Sequence, residues 1–120
     1  MHEFQKRIRF KGDIKPLLIR VCRDYKLGGY ISYRVAPVGY EDFNLMIKTY
    51  KGKYFVKMFA SYRGLANCVR YINIIRKVIS AGVHHPKLYK SPQGFLYKTI
   101  LGKIPVRLCI MEWVEGESLY

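Results

Sequence analysis

The segment from Phe43 to Ala60, FNLMIKTYKGKYFVKMFA, constrains the fold of this chain more than any other stretch. Two runs of β-branched, aromatic and long apolar residues flank the tripeptide Lys51-Gly52-Lys53. Such residues favour β-strands, and a glycine between them can adopt the positive φ that a tight turn needs. The segment therefore predicts a β-hairpin.

Lys57 occupies an unusual position in this hairpin. Side chains alternate between the two faces of a strand, so Lys57 shares a face with Phe55 and Phe59. A lysine in the middle of a strand either extends its charged end into solvent from an outer face or faces a cleft and meets an anion there. The sequence leaves both interpretations open.

Length and composition indicate a single globular domain. The chain has 120 residues, of which 50% are hydrophobic and 15% aromatic, enough for one core. No apolar run approaches the roughly 18–20 residues that span a bilayer, and the N-terminus lacks the apolar segment of a signal peptide. We therefore expect a cytoplasmic protein. Widely spaced cysteines without a CxxC motif predict reduced thiols and no metal site; they are Cys22, Cys68 and Cys109.

Charge is distributed unevenly along the chain. The formal net charge is +14, and the interval from Phe43 to Met111 holds thirteen Lys and Arg residues but no Asp or Glu. An unbalanced basic surface attracts polyanions, such as nucleic acid, an anionic membrane, nucleotide phosphates or an acidic protein. Charge alone does not distinguish among these partners.

Hydrophobic periodicity predicts the order of the secondary-structure elements. Apolar residues at three- and four-residue intervals predict two helices, and alternation predicts the strands. The order is helix, three strands, helix, two strands, which predicts an α+β fold with a five-stranded antiparallel sheet, one helix packed on it and an N-terminal helix. The expected segments are a loosely packed lead-in at 1–11, helices at 14–27 and 65–81, and strands at 30–35, 43–50, 54–60, 95–101 and 106–114. We divide the chain into an arm and helix (1–29) and a sheet domain (30–120).

Four short motifs follow one another along the chain. They are GYEDFN at 39–44, Lys57 within YFVKMF, AGV at 81–83 followed by Pro86, and MEWVEGESL at 111–119. In this order they resemble the turn, third-strand lysine, post-helix segment and hinge of the nucleotide-binding N-terminal lobe of the protein-kinase-like fold. The resemblance is greatest to the aminoglycoside phosphotransferase, choline kinase and homoserine kinase group.

The resemblance implies a phosphate-binding end and an ATP cofactor. Gly39, Tyr40 and Asn44 would belong to the turn whose backbone N–H groups approach phosphate oxygens, because glycine removes a side-chain obstruction there. Lys57 would supply a positive charge to the α- and β-phosphates. Taken alone, Gly39 also fits an ordinary turn between two strands.

The resemblance also implies an adenine-binding end. Met111 would stand behind the base as gatekeeper, the Glu112 carbonyl would accept from the adenine amino group, and the Val114 N–H would donate to a ring nitrogen. Val38 and Phe55 would add apolar contacts to the base. Met111 and Val114 also fit ordinary core positions.

Two departures from the family pattern affect the predicted chemistry. The helix after the hairpin has no acid to hold the lysine, so Lys57 needs another counter-charge: Glu41 or Asp42 from the turn, Glu112 if its side chain turns inward, or an acid from outside these residues. The chain also stops just after the hinge, before the family's catalytic loop and its magnesium-binding aspartate. We therefore expect a fragment of a small-molecule kinase, with no catalytic residue of its own and with magnesium bound only together with the missing lobe.

Two other functions remain open. Thirteen uncompensated positive charges and eleven tyrosines are compatible with an RNA- or DNA-binding module, in which aromatic rings stack on bases, although no RNP-like, GXXG or zinc-finger pattern occurs. Alternatively, the chain is a stand-alone lobe that docks an acidic partner. A detached lobe would expose its apolar cleft wall and would self-associate.

Overall fold

The computed structural model describes residues 3–37, 39 and 41–115. Within these residues the chain forms five β-strands, two α-helices and one 3₁₀ helix. In chain order they are the 3₁₀ helix (Glu3–Ile8), α1 (Lys15–Asp24), β1 (Tyr30–Val35), β2 (Phe43–Thr49), β3 (Gly52–Met58), α2 (Leu65–Ser80), β4 (Tyr97–Leu101) and β5 (Ile104–Glu112). None of these helices is long and apolar enough to cross a membrane.

The strands form one antiparallel sheet in the order β1-β2-β3-β5-β4. The predicted hairpin is its centre: β2 pairs with β3 from Phe43↔Met58 to Thr49↔Gly52. Gly52 closes the turn with a φ of 147°, a backbone conformation that glycine adopts without steric cost. The predicted α+β class and the five-stranded antiparallel sheet are confirmed.

Each face of the sheet has its own hydrophobic core. One core joins the sheet to α1 and the 3₁₀ helix, and the other joins it to α2. The strand residues of the α1 side include Leu45, Ile47, Val56, Leu108 and Ile110, and those of the α2 side include Phe55, Cys109 and Met111. Because side chains alternate along a strand, this division decides which face Lys57 shares.

The prediction of a loosely packed lead-in at residues 1–11 is wrong for the part that the structure describes. Ile8 in the 3₁₀ helix is only 1% exposed, and the buried Gln5 donates hydrogen bonds to the Phe10 and Gly12 carbonyls at 2.9 and 2.7 Å. Sequence periodicity does not reveal these two buried positions among the charged residues, because a short 3₁₀ helix does not have the α-helical repeat. The domain division at residue 29 stays a prediction.

The last two strands are displaced from their predicted limits. β4 begins at Tyr97 rather than at residue 95, and β5 ends at Glu112 rather than at residue 114. The turn Gly102-Lys103 between them is tighter than expected, because Leu101 pairs directly with Ile104. Val114 therefore follows β5 and is not part of it.

Candidate functional site

The side chain of Lys57 lies on the α2 face of the sheet. Its cross-strand partners are Asn44 on β2 and Cys109 on β5, and Met111 lies two residues further along β5 on the same face. Lys57 is only 5% exposed. The interpretation that this lysine extends into solvent from an outer face is therefore wrong.

The Lys57 ammonium has two polar partners and two aromatic ones. Its Nζ lies 3.3 Å from Asp42 Oδ2 and 3.3 Å from Asn44 Oδ1. It also lies 5.9 Å from the ring centroid of Phe55 and 5.6 Å from that of Tyr71, within the range of a cation–π attraction. A buried ammonium needs such partners because its desolvation is costly.

Asp42, one of the acids that the sequence offered as counter-charges, forms an ion pair with this amine. Its side chain is buried, and its Oδ1 accepts the Ala60 N–H at 2.8 Å. Its Oδ2 accepts from both Lys57 and the Arg63 Nη1, the latter at 2.6 Å. Glu41 lies instead at the surface, with its Oε2 3.8 Å from Arg63. Asp42 thus joins the turn before β2 to the end of β3.

Arg63 is a member of this cluster that the sequence did not reveal. Its side chain is only 12% exposed, and its guanidinium carbon lies 5.0 Å from the ring centroid of Phe59 and 5.2 Å from that of Tyr71. Its Nε donates to Asn67 Oδ1 at 2.8 Å. No local pattern indicates this role, because Arg63 and Asp42 lie 21 positions apart.

The buried groups of the cluster hold two positive charges and one negative charge, and the exposed Glu41 carboxylate lies 3.8 Å from Arg63 at the edge. Lys57 and Arg63 share one buried carboxylate oxygen, so their two charges face a single buried negative charge. Desolvated cations in excess attract anions, since the low local dielectric strengthens the interaction. The arrangement is suited to a phosphate group.

Arg7 of the 3₁₀ helix holds the turn from outside. Its Nη1 donates to the Asp42 carbonyl at 2.7 Å and lies 3.4 Å from the Gly39 carbonyl, while its guanidinium stacks on Phe4 at 4.4 Å. Gly39 has a φ of 74°, in the left-handed region that favours glycine. Two predicted residues of this segment, Val38 and Tyr40, lie outside the described residues.

The end of β5 forms an apolar wall beside the cluster. Met111 is 1% exposed and pairs with Phe55 on β3. The Phe55 ring is stacked near that of Trp113, with 6.3 Å between centroids. The Glu112 N–H donates to the Lys87 carbonyl at 2.8 Å, so β5 ends between β3 and the segment after α2. Val114 lies half-buried just beyond.

Two further ionisable groups near Lys57 are neutral at physiological pH. Burial raises the pKa of the Cys109 thiol to about 12 and raises that of the Tyr71 phenol well above its usual range. Neither group therefore acts as a base or a nucleophile there. Among the residues that the structure describes, no three His, Cys, Asp or Glu side chains are grouped to hold a metal ion.

Comparison with known proteins indicates a distant relationship. No family model matches the chain. It is 21% identical over 94 residues to the homoserine kinase of Bradyrhizobium sp. (strain ORS 278), and the match covers 78% of this chain. That relative is a kinase. The matched region spans 28% of the homoserine kinase, so the similarity concerns only part of that enzyme.

Proposed function

We propose that this chain is the ATP-binding N-terminal lobe of a small-molecule phosphotransferase with a protein-kinase-like fold. The observation that carries the proposal is the buried Lys57 amine, which lies on the same sheet face as Met111 at the end of β5. The distant similarity to homoserine kinase supports the same class of function. The four sequence motifs support it as well.

At the phosphate end, Lys57 and the turn at 39–44 would bind the α- and β-phosphates. The excess positive charge beside Asp42 fits a polyphosphate. Gly39 and Tyr40 would bring backbone N–H groups to the phosphate oxygens. Asn44, whose Oδ1 now accepts from Lys57 at 3.3 Å, would orient the amine.

At the base end, the residues at and after the end of β5 would bind adenine. Met111 would stand behind the base, the Glu112 carbonyl would accept from the amino group, and the Val114 N–H would donate to a ring nitrogen. Phe55 is 0% exposed and its ring is stacked near that of Trp113, so it would support the apolar wall of the base site from behind.

Phosphate transfer would need groups beyond these residues. In the described part of the chain no acid is placed as a base beside Lys57, since Asp42 is occupied by two cations and a backbone N–H. A magnesium ion would likewise need carboxylates from the second lobe of the parent enzyme. We therefore expect weak nucleotide binding and no transferase activity from this chain alone.

Titration calorimetry with a non-hydrolysable ATP analogue, with and without Mg²⁺, tests the proposal. We expect Lys57→Ala to weaken binding at least about tenfold, equivalent to ~1.4 kcal/mol. Lys103→Ala is the charge-matched control, because Lys103 is exposed in the β4–β5 turn, and its binding should stay within about twofold of the parent. Equal binding by parent and Lys57→Ala, or tight magnesium-dependent binding by the chain alone, would contradict the proposal.

A nucleic-acid-binding surface is the second candidate. Exposed cations on α2 continue onto the segment that follows it: the guanidinium carbon of Arg76 on α2 lies 4.6 Å, and the Lys90 amine after α2 lies 5.5 Å, from the ring centroid of Phe95. Polynucleotide binding at this surface would weaken steeply as salt is added, because condensed counterions are released. This candidate would be favoured over the first if single-stranded RNA displaced the ATP analogue at low salt and if Lys57→Ala bound RNA as tightly as the parent chain.

A further inference from the structure

We propose that Arg63 is a positioning residue. It keeps the Asp42 carboxylate paired with a positive charge when the Lys57 amine turns from Asp42 to a phosphate. The inference rests on the proposed nucleotide-binding function and adds to it a residue that does not itself touch the nucleotide. It concerns an exchange of partners within the buried cluster.

The two cations compete for the same oxygen. Asp42 Oδ2 lies 2.6 Å from the Arg63 Nη1 and 3.3 Å from the Lys57 Nζ. The shorter contact is a short charge-assisted hydrogen bond, whereas the longer one exceeds the usual length of such a bond. Lys57 is therefore the partner that Asp42 holds less tightly.

Arg63 also has contacts of its own that do not depend on Lys57. Its guanidinium is fixed by Asn67 at 2.8 Å and lies over the rings of Phe59 and Tyr71. The planar guanidinium is well suited to such stacking, whereas a lysine amine on its flexible four-carbon stem redirects easily. Arg63 remains in place while Lys57 moves.

The exchange removes the main obstacle to phosphate binding by a buried lysine. Without Arg63, a Lys57 that turned to a phosphate would leave Asp42 as an unpaired buried carboxylate, which is strongly unfavourable. Asp42 would then compete with the phosphate for Lys57. With Arg63 present, Asp42 keeps one cation whichever way Lys57 points.

A double-mutant cycle on nucleotide affinity tests this exchange. We expect Arg63→Gln to weaken binding of the ATP analogue about tenfold, because Asp42 then holds Lys57 alone. Adding Asp42→Asn in that background should restore binding to within about threefold of the parent, because the competing carboxylate is gone. Arg70→Gln is the matched control, since Arg70 is exposed on α2, and its affinity should be unchanged.

The other outcomes of the cycle overturn the inference. If Arg63 touched the phosphate directly, the double variant would bind as weakly as Arg63→Gln. If Arg63 were only a packing residue, the loss of binding would parallel the loss of thermal stability. Adding Asp42→Asn would then increase both losses. Arg63→Lys keeps a positive charge near Asp42 but loses the planar group over Phe59 and Tyr71, so its affinity should lie between those of the parent and Arg63→Gln. An affinity no better than that of Arg63→Gln in a folded Arg63→Lys chain would contradict the inference.

A second measurement needs no nucleotide and separates this inference from the proposed function. Trace acetylation of the folded chain, read by mass spectrometry, reports how firmly Asp42 holds the Lys57 amine. Under conditions where circular dichroism shows all three chains to be folded, we expect labelling of Lys57 to be fastest in Asp42→Asn, slower in the parent and slowest in Arg63→Gln. That order without ATP binding by the parent would retain the competition of Arg63 and Lys57 for Asp42 and reject the nucleotide function. ATP binding with equal labelling in all three would reject the exchange alone.

Discussion

Removal of the Asp42 carboxylate is the most informative stability experiment on this chain. In Asp42→Ala the Lys57 and Arg63 cations stay buried without their shared partner, and truncating one member of a buried ion pair costs about 3–5 kcal/mol. The Ala60 N–H also loses its 2.8 Å acceptor, at a further ~1–3 kcal/mol. Because these contacts share one carboxylate, their costs are not additive, and we expect a total loss of about 4–5 kcal/mol.

A loss of this size is comparable with the whole stability of many small domains, which is about 5–15 kcal/mol. Urea denaturation followed by circular dichroism should show a midpoint lowered by about 2 M, since slopes for small proteins are ~1–3 kcal/mol/M. Asp42→Asn should lose about 1 kcal/mol less than Asp42→Ala, because its side-chain oxygen still accepts from Ala60.

Glu41→Ala is the control for this experiment. Glu41 is the neighbouring acid, its side chain is 59% exposed, and it lies 3.8 Å from Arg63. An exposed ion pair of this kind contributes at most about 1 kcal/mol. If Asp42→Ala and Glu41→Ala shifted the urea midpoint equally, the argument that Asp42 neutralises a buried pair of cations would be refuted.

Three other predictions concern groups outside that network or at its edge. The Tyr97 hydroxyl donates to Asp24 Oδ2 at 2.6 Å and lowers the pKa of that carboxyl. The stability that this hydrogen bond contributes is therefore complete above the unfolded pKa of about 3.9 and is lost as the pH falls through the lower folded pKa. Thermal melts should show that Tyr97→Phe is destabilising at pH 7 and has a smaller effect at pH 3, and an effect independent of pH would be inconsistent with this assignment. Gly39→Ala should cost about 1 kcal/mol because the φ of 74° is unfavourable for alanine, and an unchanged urea midpoint would show that the turn relaxes. Burial raises the pKa of the Cys109 thiol to about 12, so a thiol reagent at pH 7.5 should modify Cys109 only when the chain is unfolded, and rapid modification of the native chain would contradict its burial.

The sequence predicts the local elements of this fold well. The hairpin from Phe43 to Ala60 and the two helices follow from periodicity and glycine placement, because these signals act between residues that are close in the chain. The order β1-β2-β3-β5-β4 is not encoded locally. It depends on which strand edges pair over long distances in the chain, and β5 pairs with β3 although α2 and β4 lie between them in the sequence.

The candidate site could be predicted only in part. Lys57 and Asp42 were identified because one interrupts an apolar strand face and the other belongs to a recognisable turn. Arg63 and Arg7 were missed, because their contacts with the turn join residues 21 and 35 positions apart. Lysines and arginines are so numerous in this chain that composition gives no reason to select these two. Only the folded geometry distinguishes them from the many solvent-exposed lysines and arginines.

The shared oxygen of Asp42 has a consequence for how this sequence can change over time. A neutral residue at any one of positions 42, 57 and 63 would upset the charge balance of the other two, whereas paired replacements would preserve it. Among relatives of this chain, these three positions should covary: a lost carboxylate should be accompanied by a lost cation. Such linked changes would record the buried pairing even in sequences that differ almost everywhere else.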